Sequence, residues 1–303
     1  MQPVCLAALL SYPTITFMKK MPFFILPLLC ISLVSSAQTT LTDSVPVVPV
    51  KKEKIVTVSA AASYIPELNY YGRTDSLKSS ALVPSIIINA GKHFSFTPSA
   101  IFIQNNQATF EYAAAAVNVT YSFGKQKKGV GGTLYGDKFF YKGESKLVRA
   151  AQQGQAGFTL THYNKIANIT LGSSAAFTKD NTDYFTAAVL DHKFRYEKKK
   201  NIFLIVPAAT ANAGTQHFTS SYYKKNNFLF FPTNEQLVTE SSKKFYLLSY
   251  DFNVSLIYAR NRFIAGITPG YTIPQNVLST NGNTIKADNL FYCNAVVIYK
   301  IIK

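Results

Sequence analysis

Hydrophobic and polar residues alternate with a period of two along most of the chain, and this periodicity restricts the fold more than any other feature. In residues 245–258 one set of alternate positions is apolar or aromatic, namely Tyr246, Leu248, Tyr250, Phe252, Val254, Leu256 and Tyr258. The intervening positions carry Ser249, Asp251, Asn253 and Ser255. Successive side chains of a β-strand point to opposite faces, so the pattern predicts a strand with one apolar face. Alone, this segment fits a soluble β-sandwich as well as a membrane-spanning barrel.

The same alternation recurs in about twelve segments, which predicts an all-β chain with an even number of antiparallel strands. The predicted strands are residues 54–64, 81–89, 92–103, 108–123, 129–140, 152–163, 166–178, 183–196, 201–214, 244–258, 262–273 and 288–302. Most of them have the length of about 9–11 residues that crosses a bilayer at a tilt, plus a few residues at the ends.

Connection lengths distinguish the barrel from the sandwich. Counted from the N-terminus, the even connections are all short turns, whereas the odd connections include residues 65–80, 141–151, 215–243 and 274–287. Two odd connections, 104–107 and 179–182, are also short. Short turns at one end and long loops at the other are typical of outer-membrane barrels. The sequence therefore predicts a transmembrane antiparallel β-barrel over residues 54–303, with short periplasmic turns and longer extracellular loops.

Basic residues gather at the short turns, where Glu197 is the only acidic residue. They are Lys92, Lys125, Lys127, Lys128, Lys165, Lys198, Lys199, Lys200, Arg260 and Arg262. One interpretation is contact with anionic headgroups of the inner leaflet, at about 1 kcal/mol per basic residue. The other is solubility of the turns. The formal net charge of +16 does not indicate a nucleic-acid partner, because the cations are scattered over turns instead of lining one helix or groove.

The composition fits an exported barrel. Charged residues make up 15% of the chain, against about 25% in soluble domains. Phe and Tyr number 23 and 19, and Trp is absent. No segment reaches the roughly 18 consecutive apolar residues of a membrane-spanning helix, which excludes a helical inner-membrane protein. A chain rich in Phe and Tyr but poor in charge is typical of a lipid-facing barrel with aromatic girdles.

The first 37 residues indicate a targeting segment. Lys19 and Lys20 supply positive charge, residues 21–34 form a short apolar core, and small residues precede a cleavage site after Ala37. We therefore expect a signal peptide over residues 1–37, with Met18 as the true start, and localisation in a bacterial outer membrane. A membrane anchor is the competing interpretation, but the apolar core is shorter than the roughly 20 residues that a transmembrane helix needs.

Two further expectations follow from cleavage after Ala37. Residues 38–53, which are rich in Thr, Val and Pro, form a flexible periplasmic lead before the barrel. Cys293 is then the only cysteine, so the exported chain has no internal disulfide and must be stabilised by packing or by a closed sheet.

Four short segments carry a resemblance. They are Ser36, Ala37 and Gln38 at the end of the signal, residues 70–76 (YYGRTDS), residues 83–85 (VPS) and residues 94–100 (FSFTPSA). In these segments the chain resembles a group of largely uncharacterised outer-membrane β-barrel proteins of the Bacteroidota. The resemblance covers most of residues 54–302 and implies a barrel, but it does not indicate any substrate or activity. The chain departs from many barrels at its end, because residues 299–303 (YKIIK) do not finish on the aromatic residue that the assembly machinery recognises.

The polar faces of the predicted strands turn toward the barrel interior and carry mainly small side chains. They include Thr97, Ser99, Asn118, Thr120, Thr159, Thr161, Asn168, Thr170, Gly172, Ser174, Gly266 and Thr268. A charged ladder of Asp191, Lys193 and Arg195 is added on the eighth strand, with Asp251 and Asn253 on the tenth. A barrel of this size lies between a filled and an open one. Two interpretations remain: a narrow path for a small polar solute, or a water-filled interior plugged by residues 215–243 or 38–53.

One pair of residues suggests chemistry. His93 and Ser95 lie two positions apart, with Asn105 and Asn106 further along, and outer-membrane phospholipases use a His, a Ser and an Asn. Phe94 and its alternate neighbours mark the lipid side, however, so His93 and Ser95 are expected to line the lumen, away from any lipid ester. We therefore predict no enzyme activity and keep a lipid hydrolase as an alternative. No His, Cys or carboxylate pair has metal-ligand spacing, so no metal or cofactor is predicted.

The sequence as a whole predicts an outer-membrane barrel that acts as a passive pore or a structural component of the membrane. Its expected partners are outer-membrane lipids and the barrel assembly machinery. The alternative is a binding or adhesion protein that uses the connection 215–243, whose Tyr, Phe, Lys and Asn residues suit either recognition or a cover over the barrel mouth.

Overall fold

A computed structural model describes residues 56–71, 73–74, 79–106, 108–124, 129–142, 152–178, 181–215, 217, 244–275, 278–280, 283–285 and 288–302. The predicted signal peptide, the predicted lead and most of the connection 215–243 lie outside these residues.

Twelve long antiparallel strands make up most of the described chain, and each predicted strand is among them with ends that differ by at most two residues. The strands are β1 (Val56–Ile65), β2 (Ser80–Ala90), β3 (Phe94–Asn105), β4 (Ala108–Gly124), β5 (Gly129–Tyr141), β6 (Gly154–Tyr163), β7 (Asn168–Phe177), β8 (Thr182–Asp191, continued by Phe194–Lys198), β9 (Asn201–Gly214), β10 (Tyr246–Arg260), β11 (Phe263–Pro274) and β12 (Leu290–Ile302). Two small hairpins inside long connections were not predicted, Asn69–Tyr70 with Arg73–Thr74 and Leu278–Thr280 with Asn283–Ile285.

The sheet closes on itself. Each strand pairs with its neighbours in sequence, and β1 also pairs with β12. Ala61 of β1 therefore lies between Ser85 of β2 and Ile298 of β12. Closure removes the two free edges that an open sheet would expose. The predicted all-β antiparallel barrel of twelve strands is confirmed.

Pro207 explains the interruption of β8. The pairing of β8 with β9 keeps one register on both sides of the gap, from Asp191 opposite Ala208 to Phe194 opposite Ile205. His192 still donates its backbone N–H to the carbonyl oxygen of Pro207 at 3.2 Å. Proline has no N–H to return that bond, so the ladder is broken at residues 192–193 although the strand runs on.

The exterior surface is apolar and carries aromatic residues near both ends. We call the end with the short turns (residues 91–93, 125–128, 164–167, 199–200 and 261–262) the turn end, and the opposite end the loop end. Exposed aromatic residues at the loop end are Tyr64, Phe110, Tyr112, Phe140, Phe177, Tyr184, Tyr250, Tyr271 and Phe291. Those at the turn end are Phe94, Tyr121, Phe194, Tyr196, Phe203, Phe263 and Tyr299. Tyr250 and Tyr258 on β10 are separated by about 20 Å of height at the usual rise and tilt.

One side chain of the clearest predicted strand faces the other way. Leu248 was predicted on the apolar exterior face, but it is completely buried in the interior, whereas Leu247 is 37% exposed. The reason is a β-bulge, because Asn212 pairs with Ser249 while Ala213 pairs with Leu247. The extra residue reverses the alternation beyond it. From Tyr250 to Leu256 the exterior face is as predicted.

Within the described residues, no helix is long and apolar enough to cross a bilayer.

Candidate functional site in the barrel interior

Small polar side chains occupy much of the interior wall. Thr97, Asn118, Thr133, Thr159 and Thr272 are each at most 2% exposed. A water-filled channel as wide as the barrel would leave such side chains in contact with solvent. Their burial shows that other atoms pack closely around this wall.

The interior is not uniformly small and polar, which corrects the sequence-based prediction. A cluster of buried apolar residues also faces inward. It includes Ile65, Val83 and Ile103 near the loop end of β1 to β3, and Leu204, Ile257 and Ile298 near the turn end of β9, β10 and β12. Several of these strands are apolar on both faces, so period-two reasoning assigned only their polar positions to the interior. The apolar cluster contributes packing stability inside the barrel.

Asp251 lies at the centre of a hydrogen-bonded network that joins three strands. Its carboxylate accepts hydrogen bonds from Asn212 on β9, from Ser249 on β10 at 2.9 Å, and from Thr272 on β11. Asn212 also donates to the Ser249 hydroxyl at 3.1 Å. Asp251 is 1% exposed, and a buried carboxylate requires such partners. The network fixes β9, β10 and β11 to one another from the inside.

Asn253, one interior position further along β10, has the opposite character. It is 5% exposed, yet neither its Oδ1 nor its Nδ2 has a hydrogen-bond partner among the described residues. Asp191 Oδ2 and Asn294 Oδ1 are unpaired in the same way. Asp191 and Asn253 flank Ala208 in one row across β8, β9 and β10. Since buried polar groups are nearly always paired with protein or with ordered water, the polar atoms of this wall require partners beyond the described side chains.

The predicted charged ladder of Asp191, Lys193 and Arg195 lies along the inward side of β8 and its continuation. Asp191 Oδ1 accepts a hydrogen bond from Asn168 on β7 at 2.9 Å. Arg195 instead contacts Glu197 at 2.6 Å on its own strand, near the turn end. Lys193 lies half-buried between them, beside the interruption of β8. The buried Asp191 thus lies above the Arg195–Glu197 ion pair on the same side of β8.

Aromatic rings lie flat against glycines of neighbouring strands. Tyr135 on β5 covers its partner Gly157 on β6, where an added Cβ would lie 2.6 Å from the phenol oxygen. Tyr292 on β12 covers Gly270 on β11 in the same way. Because the glycines have no side chain, each ring stays against the wall and does not project across the interior.

The structure does not bring together the residues considered for lipid hydrolysis. His93 is exposed in the β2–β3 turn, and its Nδ1 contacts the carbonyl oxygen of Ser122 at 2.7 Å. Ser95 lies on β3 with a buried hydroxyl that has no described partner. Asn105 ends the same strand ten positions away, about 30 Å at the rise of an extended chain, and donates to Ser79. Among the described residues, no side chain that could act as a general base is hydrogen-bonded to the Ser95 hydroxyl.

Sequence reasoning missed a cluster at the loop end. Asp183 Oδ1 accepts hydrogen bonds from the Thr215 hydroxyl at 2.7 Å and from the His217 backbone N–H at 2.7 Å. His217 Nδ1 lies 3.0 Å from the same oxygen. These bonds attach the beginning of the long connection 215–243 to β8. The sequence signal was weak, since Asp183 is one of several acidic residues near predicted strand ends.

No group of three or more His, Cys, Asp or Glu side chains in the described part of the chain is arranged to hold a metal ion. No protein-family model matches the chain. No curated protein matches it either.

Several solved structures overlap the chain at low similarity. An anion-selective porin from Comamonas acidovorans has 7% identity and a TM-score of 0.24 over 81% of this chain and 98% of that chain. The Salmonella typhi OmpF complex with daunomycin has 6% identity and a TM-score of 0.28 over 81% and 97%. The outer membrane channel DcaP of Acinetobacter baumannii has 8% identity and a TM-score of 0.25 over 81% and 96%. Overlaps this slight do not transfer a solute, an assembly or an activity to this chain.

Proposed function

We propose that the chain is a bacterial outer-membrane β-barrel with a narrow, hydrated interior, and that it acts as a passive low-conductance path or a structural component of the membrane. In the closed sheet the backbone N–H and C=O groups of neighbouring strands are hydrogen-bonded to one another. A β-protein must pair them in this way inside a bilayer, because the hydrocarbon core contains no water. The apolar exterior between two aromatic bands matches the height of an outer-membrane barrel, about 25 Å. The expected signal peptide and the outer-membrane lipids and assembly machinery as partners belong to the same proposal.

Asn253 carries the interior part of this proposal. Its amide is buried, neither of its polar atoms has a partner in the part of the chain that the structure describes, and it lies two residues from Asp251, which accepts three hydrogen bonds. A dry, packed interior would leave such an amide at a cost of about 1–3 kcal/mol, so water is its natural partner. The burial of Thr97 and Thr272 argues against a wide general pore. Small polar solutes and ions are the substrates that such an interior could pass.

The connection 215–243 enters the proposal as the element that restricts the path. Asp183 holds its first residues against β8 at the loop end. In this proposal the rest of the connection covers the mouth of the barrel, a role that its attachment at the loop end supports. A role of the same connection in binding or adhesion remains the second hypothesis from the sequence, and loss of ligand capture after deletion of residues 218–240 would support it.

Single-channel recording of the refolded chain in a planar bilayer tests the proposed path. We expect small, steady conductance steps for the full chain and larger steps after deletion of residues 218–240. Large porin-like steps from the full chain would contradict a narrow interior. A silent bilayer from both forms would contradict a path and leave the structural role.

A further inference from the structure

The hairpin of β8 and β9 projects beyond its neighbour at the turn end. The last residue of β8 that pairs with β7 is Asp191, opposite Asn168, whereas pairing with β9 continues to Lys198. The hairpin therefore continues for seven residues, roughly 20 Å along the strand, beyond the last residue of β8 that is paired with β7. The β6–β7 turn faces this part of the hairpin, and its Ile166 is 82% exposed. We call the surface formed by residues 194–200 and this turn the ledge.

The exterior side of the ledge changes from apolar to aromatic to cationic. Along β8 the outward residues are Leu190, His192, Phe194, Tyr196 and Lys198, in order toward the turn end. The ring of Tyr196 lies 6.4 Å from that of Phe203, which lies 5.0 Å from that of Tyr258. A phospholipid has the same order of chemistry, from its acyl chain through the glycerol region to its headgroup.

The cations at the end of the ledge lack acidic partners. Among the described residues, no carboxylate lies within ion-pair distance of Lys198, Lys199 or Lys200, and Lys165 in the β6–β7 turn is equally unpaired. The neighbouring Glu197 already accepts from Arg195 at 2.6 Å. Arg260, opposite Asn201, adds another exposed cation. The ledge is thus a concentrated positive surface at the depth where a headgroup would lie.

An apolar groove on the exterior wall leads away from the ledge. Its volume is about 570 Å³, and it runs across β8 to β12 between two outward rows of side chains. Ala209 and Pro207 leave it shallow near β8, with Leu190 and Phe252 along one side. One end of the groove lies beside Ala167, next to the ledge at the turn end. The other end lies beside Phe291 at the loop end. The groove therefore begins near headgroup depth beside the ledge and passes the middle of the bilayer on its way to the loop end.

We propose that the ledge and the groove form a binding site for one anionic phospholipid of the periplasmic leaflet. The phosphate lies at Lys198, Lys199 and Lys200, the glycerol region lies against Phe194 and Tyr196, and one acyl chain lies in the groove over Ala209. Charge complementarity favours this occupant, because a second copy of the barrel would bring the same cations together. This inference rests on the proposed function, since it requires the barrel to be in a membrane.

Native mass spectrometry of the full chain, released from nanodiscs of phosphatidylglycerol and phosphatidylethanolamine, tests the site. We expect one phosphatidylglycerol to be retained. Retention should fall at least about tenfold in K198Q/K199Q/K200Q, because the neutral glutamines no longer attract the phosphate. It should fall similarly in Ala209→Phe, which fills the groove without changing charge. The matched control is K125Q/K127Q/K128Q, which removes the same charge from the sequence between β4 and β5 and should keep the lipid.

Several results would overturn the site. Equal loss in the control would mean a general attraction of the turns for anionic lipid. Equal retention of phosphatidylethanolamine would remove the role of charge. A dimer without lipid, abolished by Ala209→Phe, would assign the groove to a second copy of the chain. Each of these leaves the barrel in the membrane, so they are distinguishable from a failure of the proposed function, in which the chain would not reconstitute into nanodiscs.

Discussion

Gly270 lies directly under the ring of Tyr292, its cross-strand partner on β12. A Cβ at this position would overlap the ring, so Gly270→Ala must displace the ring from the wall. We expect a loss of about 1–3 kcal/mol of stability, the usual cost of overpacking. The matched control is Gly136→Ala, because an added Cβ there meets only one atom, at 3.8 Å. The effect is measured by heating each variant and finding the midpoint temperature at which its gel band shifts from the folded to the unfolded position. Equal midpoints for the two variants would contradict the close contact between Gly270 and the Tyr292 ring.

Asp251 and Asn253 offer a second comparison on one strand. Both side chains are buried on the same face, but only Asp251 has protein partners. Asp251→Ala leaves three buried donors without their acceptor, and we expect it to cost roughly 3 kcal/mol or more. Asn253→Ala removes an amide with no described partner, and we expect a cost below about 1 kcal/mol beyond the lost volume. Denaturant unfolding in detergent measures both variants, and a larger loss from Asn253→Ala would contradict the assigned networks.

Much of the fold could be predicted from alternation, connection length and turn chemistry. All of these are local signals, and they placed every strand end within two residues. Leu248 could not be predicted correctly because a bulge depends on the partner strand, here on the pairing of Ala213 with Leu247. The sequence predicted the polar residues of the interior but not the apolar ones. Ile202, Leu204 and Val206 lie on an interior face while Phe203 and Ile205 face out, so β9 is apolar on both sides and shows no alternation.

The candidate site illustrates a further limit. Asp191, Asp251 and Asn253 were identified from their strand positions, but the sequence did not indicate that one carboxylate is fully paired and the neighbouring amide is not. That difference depends on Asn212 and Thr272, which reach Asp251 from separate strands. The Asp183 cluster likewise depends on contacts across more than thirty residues of sequence.

Asp183 gives a third prediction. Asp183→Ala removes the acceptor of Thr215 and His217, so the connection 215–243 should open more readily. A loss of about 1.4 kcal/mol of local stability raises the open population tenfold. We therefore expect trypsin to cut at Lys224 or Lys225 roughly tenfold faster in the folded variant. Asn181→Ala, on the β7–β8 turn at the same end, is the control. Unchanged cleavage in Asp183→Ala would show that these bonds do not hold the connection.

Processing of the chain gives a fourth prediction. Cleavage after Ala37 should leave Gln38 as the N-terminus of the exported protein, and Ala37→Asp should block that cleavage because the site requires a small residue. Intact mass measurement of the membrane-extracted protein checks both. A mature chain that still carries residues 21–34 would favour the membrane-anchor interpretation.

The central claim is that this chain is a closed barrel embedded in the outer membrane. Gel migration of the protein in the isolated outer-membrane fraction, with and without heating, tests it most directly. We predict that the protein is found in that fraction, that the unheated form migrates faster than the heated form, and that heating removes the difference. A protein found in the soluble periplasmic fraction, with the same migration before and after heating, would contradict the account.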